Sequence, residues 1–80
     1  MVTNMTAPPG GVMTDEVGTI TGDLSMEPRV GPDGQVTLRV QYRGADEWYT
    51  VTGAGVKVPD PADDEAVERA ERQLLDRFAG

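Results

Sequence analysis

Nine consecutive residues, Gln35 to Arg43, alternate without a fault between apolar and polar. Val36, Leu38, Val40 and Tyr42 fall on one side, and Thr37, Arg39, Gln41 and Arg43 on the other. A period of two is the mark of a strand with one buried and one wet face. No helix can satisfy it, so the chain must contain a sheet. The Gly44-Ala45-Asp46 break and the β-rich run Trp48-Tyr49-Thr50-Val51-Thr52 complete a hairpin.

The pairing of that hairpin decides where the lone tryptophan points. An even-length connection with Ala45-Asp46 at its tip sets Tyr42 across from Tyr49 and Val40 across from Val51. It leaves Trp48 on the outer face beside Arg43. A three-residue loop slips the register by one and turns Trp48 into the core. The even loop pairs apolar with apolar twice and is the register expected here.

A second antiparallel strand precedes this hairpin. In Val17 to Met26, Ile20, Leu24 and Met26 share a side with Gly18 and Gly22, which weaken the inner face. Pro28 suits an edge strand or its end, and Gly31-Pro32-Asp33-Gly34 has the composition of a tight turn. Residues 1–16, with Pro8-Pro9-Gly10-Gly11 in their middle, show no period and read as a disordered N-terminal tail.

After a glycine-loosened connector (52–59) comes a helix. Asp60 is a suitable N-cap with Pro61 in the first helical position. Asp63, Asp64 and Glu65 add negative charge where the macrodipole favours it. Val67, Ala70, Leu74 and Phe78 form one apolar stripe, with Glu65–Arg69 and Glu68–Arg72 spaced as i, i+4 pairs. The fold expected is α+β: a three-stranded antiparallel sheet packed on one C-terminal helix (β-β-β-α), as a single small domain over 17–80.

Composition limits the chemistry. The 80 residues contain no His and no Cys, which removes the usual nucleophiles, bases and zinc ligands. Gly53-Ala54-Gly55-Val56 lacks the further glycine and the Lys-Ser/Thr of a phosphate loop. The run Asp60, Asp63, Asp64, Glu65 lacks the alternation and the glycine of a calcium loop, and helix capping accounts for it. The expectation is no enzyme, no catalytic residue, no metal and no cofactor.

With 14 acidic against 7 basic residues the formal charge is −7, which disfavours nucleic acid and anionic membrane. No segment has the length and apolarity of a membrane span, and residues 1–18 lack the pattern of a signal peptide, so a soluble, cytoplasmic protein is the default. The surface of interest is the outer sheet face. Arg39, Arg43, Trp48 and Thr50 gather there in the composition of a protein-binding hot spot. The expected function is therefore a small acidic interaction module that binds a protein partner through this face or through the acidic helix. The alternative is nucleic-acid binding by the sheet face, against the net charge. Edge pairing by the Val17–Met26 strand or the Trp48–Val51 strand offers a route to a homodimer.

Overall fold

The computed structural model describes residues 2–79. It contains β1 (Thr3–Thr6), β2 (Val12–Thr14), β3 (Gly18–Ile20), β4 (Asp23–Val30), β5 (Gln35–Tyr42), β6 (Tyr49–Lys57) and α1 (Asp64–Phe78). All strand pairs are antiparallel, in the order β1-β4-β5-β6-β2-β3. The fold is α+β, with a six-stranded sheet where the sequence suggested three strands.

Two of the three additional strands come from the segment expected to be a disordered tail, and the third from division of the Val17–Met26 run. β1 pairs with β4, placing Met5 opposite Leu24, and β2 pairs with β3, placing Val12 opposite Ile20. The Ala7 amide donates to the Gly22 carbonyl at 2.8 Å and joins the two ladders. Together they make one long bent hairpin. Its register moves by three residues between the ladders (6 and 23 against 12 and 20), and Pro8-Pro9-Gly10 takes up the difference. Proline and glycine here bend a strand pair; they do not dissolve it. Gly11 makes the bend possible. Its φ is +78°, and a Cβ there would stand 2.5 Å from Thr19 Cγ2 and 2.7 Å from the Ile20 carbonyl oxygen.

The bend brings β2 round to β6, where Thr14 faces Val51 and the Asp15 amide donates to the Thr50 carbonyl at 3.0 Å. Only Thr21 and Gly22 join β3, at one end of the strand order, to β4, near the other. Three peptide units span at most about 11 Å. The sheet must therefore curl, and its concave side becomes the core. Leu24, Met26, Val36, Leu38, Val40 and Leu74 are buried almost completely, and Val12, Ile20, Val51 and Val58 join the same cluster.

The β5–β6 register differs from the expected one by two residues. Val40 faces Tyr49, not Val51, and six residues (43–48) make the connection. The shift of two arises at the hairpin itself, and a bulge further along β6 then moves the register by three. Between the Arg39–Thr50 and Thr37–Gly55 pairs, two steps on β5 oppose five on β6, and Gly53 turns the chain at φ +77°. A shift of two preserves facing, so Trp48 stays on the outer side as expected.

The connector and the sheet edges also need correction. β6 runs on to Lys57, so most of the segment read as a loose connector is strand. The Trp48–Val51 run is not an edge, because β6 pairs with both β5 and β2. The Val17–Met26 run divides into β3, an edge, and β4, an interior strand. Pro28 is tolerated within β4 because alternation directs its missing N–H toward the β1 side, and the β1 ladder ends at Met26.

α1 covers the inner face of β4, β5 and β6. It begins three residues later than its sequence suggested. Asp63 is the N-cap, with its Oδ1 accepting the Ala66 amide at 3.2 Å. Asp60 instead closes a turn, accepting the Ala62 amide on Oδ1 at 2.9 Å and the Asp63 amide on its carbonyl at 3.0 Å. The preceding Val58 is buried, and its amide donates to the Gly34 carbonyl at 2.9 Å. The chain needs that turn to climb from the end of the sheet to the helix axis. Ala70 and Leu74 of the apolar stripe are buried, while Val67 and Phe78 pack at its ends.

Candidate interaction face

Alternation sets β4, β5 and β6 so that Glu27, Arg29, Thr37, Arg39, Gln41 and Thr50 share the face turned away from α1. At its centre, Arg39 lies directly across from Glu27. Arg39 Nε donates to Glu27 Oε1 at 2.8 Å, and Arg39 Nη2 donates to the same oxygen. Arg29 Nη1 approaches that oxygen at 3.8 Å. On the other side, the Arg39 guanidinium carbon sits 4.1 Å from the centre of the Trp48 ring. A continuous row therefore crosses the sheet from Arg29 through Glu27 and Arg39 to the indole. Stacking on the ring and pairing with a carboxylate hold the guanidinium in one place.

Thr50 borders this row, opposite Arg39. Its hydroxyl donates to Glu16 Oε2 at 2.8 Å and its amide donates to Glu16 Oε1 at 2.7 Å. The adjacent Thr52 hydroxyl donates to Asp15 Oδ1 at 2.5 Å. These two carboxylates clasp the loop between β2 and β3 onto β6, where the sheet curls on itself. The Thr50 amide, followed by its hydroxyl, stabilises the Glu16 carboxylate and holds its pKa below the ordinary 4.5. Beyond Thr50, the β6 bulge opens a shallow depression of about 320 Å³ of mixed polar and apolar lining, bordered by Asp15, Gln35, Thr37, Val51 and Ala54.

Of the four residues expected to form a site, Arg39, Trp48 and Thr50 come together and Arg43 does not. Arg43 lies beyond the end of β5, with Nη2 3.4 Å from the Met5 carbonyl oxygen. In this register position 48 falls opposite Gln41, and the indole stacks on Arg39, its diagonal neighbour, not on Arg43.

Two participants escaped the sequence reading, Glu27 and Glu16. Glu27 was within reach of it. Counting outward from the Gly31–Gly34 turn, with Val30 opposite Val36, sets Glu27 against Arg39. Nothing local marks Glu16, because its partner is 34 residues away.

Elsewhere, Asp60 and Asp63 accept backbone amides at the start of α1, Asp64 and Glu65 lie in its first turn, and no group of three or more His, Cys, Asp or Glu among the described residues is placed to hold a metal ion. Among the described residues no helix is long and apolar enough to cross a membrane. Comparison with protein-family models, with curated proteins and with solved structures found no match to this chain, so its own residues carry the functional reading.

Proposed function

We infer that the protein is a non-enzymatic interaction module of the cytoplasm that docks a protein partner through the outer sheet face around Arg39 and Trp48. One observation carries this reading: the lone tryptophan lies on the side of the sheet opposite the helix, half-buried against an arginine. Burying a tryptophan under the helix would have served stability better. Aromatic and arginine side chains are the residues on which protein interfaces most depend. Arg39 is already fixed by Glu27, so docking costs it little rotamer freedom. The face also favours a protein over a nucleic acid. Its central guanidinium is neutralised by a carboxylate, and Glu16 adds a negative charge beside it.

The test places a photo-crosslinking amino acid at Gln41 and captures partners from the native cell. Support is a single stoichiometric protein adduct that Trp48→Ala abolishes while leaving the thermal melt unchanged. Helix variant Glu68→Lys should leave the adduct intact. An adduct that persists in Trp48→Ala refutes the reading, as does a crosslink to RNA or DNA alone. If the Glu68→Lys variant alone loses the partner, the site belongs on α1.

A further inference from the structure

We propose that β1 is a self-association edge, on which a second copy of this chain pairs antiparallel to form a two-fold dimer. The register identifies the groups that are free. The Ala7 amide donates to the Gly22 carbonyl on the β4 side, so by alternation Met5 and Thr3 also point their backbone groups toward β4. Asn4 and Thr6 then direct their N–H and C=O groups outward, and among the described residues β1 pairs with no strand other than β4. None of the usual protections against edge pairing is present in Thr3–Thr6. The strand has no proline, no bulge and no charged side chain.

The occupant follows from symmetry and charge. A two-fold axis through Met5 sets Asn4 of one copy against Thr6 of the other, giving four backbone hydrogen bonds. Met5 then meets its own counterpart on the core side, where it is already partly buried. Asn4 and Thr6 share the opposite face, and both are exposed. In a chain of net charge −7, every side chain before Asp15 is uncharged, so a second copy can approach this edge without bringing like charges together. The other edge, β3, is three residues long and adjoins Asp15 and Glu16. It would set acidic groups against each other. The ladder stops at Pro8, so the interface is small and the dimer is of the weak, concentration-dependent kind.

Sedimentation equilibrium of the full chain over a wide dilution series tests this. The mass should rise from 8.6 kDa toward twice that value, and the rise should strengthen with salt as the long-range repulsion is screened. Thr6→Pro removes one outward N–H and the exposed hydroxyl bond to Asp23 while leaving the β4 backbone ladder in place, and should remain at 8.6 kDa and folded. In a second measurement, Met5→Cys should oxidise to a covalent dimer, because facing residues of a non-hydrogen-bonded pair lie within disulfide reach. The chain has no cysteine to compete. A wild-type mass fixed at 8.6 kDa overturns the proposal. So does a dimer that persists in folded Thr6→Pro, or cross-linking by Thr19→Cys on β3 in place of Met5→Cys.

Discussion

Truncating Val12 tests whether the N-terminal segment belongs to the fold. Val12 is 5% exposed, faces Ile20 and lies in the core cluster, while its neighbour Met13 is 52% exposed on the opposite face. Val12→Ala removes two buried carbons. At about 0.8 kcal/mol each, with a further cavity term, the cost is roughly 2 kcal/mol. For a domain of this size that corresponds to a fall in Tm of about 8–16 °C. Urea unfolding followed by Trp48 fluorescence, with far-UV circular dichroism in parallel, measures it. The midpoint should fall with the slope unchanged, since the folded state still covers the same surface. Met13→Ala is the control and should stay within about 0.5 kcal/mol of the parent. If Val12→Ala behaves like Met13→Ala, the bent hairpin does not contribute to the core and the six-stranded account is wrong.

The clasp at Glu16 should be sensitive to acid. Its folded pKa lies below 4.5, so its contribution is complete above that value and is lost as pH falls through the folded one. The Tm advantage of the parent over Glu16→Gln, measured from pH 7 downward, should therefore shrink only in that acid range. An advantage independent of pH would show that the carboxylate charge is not involved. Gly11→Ala should destabilise by about 1–3 kcal/mol, because its φ is positive and its Cβ would meet Thr19 and Ile20. A neutral result in a urea melt would refute the tight crossing at the bend. Arg39→Ala should uncover one face of the Trp48 ring, raising acrylamide quenching and shifting emission to the red, and unchanged quenching would refute the stack.

The sequence made β5 legible because nothing interrupts its period, and it made the outward facing of Trp48 legible because a shift of two leaves parity intact. α1 was legible for the same kind of reason, since the stripe from Val67 to Phe78 is periodic throughout. Its start was not, because Asp60-Pro61 and Asp63 both satisfy the local rules for a cap. β1 and β2 were hidden because each is only three or four residues long, and because β1 pairs with β4 and β2 with distant β6 as well as with neighbouring β3. Pro8-Pro9-Gly10-Gly11 reads locally as an end of structure, whereas the fold uses it as a corner. The β6 bulge was hidden for a related reason. Gly53 and Gly55 look like a loosened linker until β2 arrives to pair with Val51. Arg43 falls beside Trp48 only if Ala45-Asp46 is the tip of the hairpin, and nothing local reveals that the connection instead spans 43–48.

The junction between Thr14 and Val51 sets the order in which the chain can acquire its structure. β4 and β5 are joined by a four-residue turn, and their meeting has little loop entropy to overcome. Joining β2 to β6 encloses 36 intervening residues, and it cannot occur on the ribosome until the second half of the chain has emerged. Until then Val12 and Ile20 have no hydrophobic interior to enter. The early hairpin must therefore wait in an open form, and high contact order makes the final joining the slow step of folding. A substitution that weakens that joining, such as Glu16→Gln, should slow refolding more than one that loosens the central β4–β5 turn.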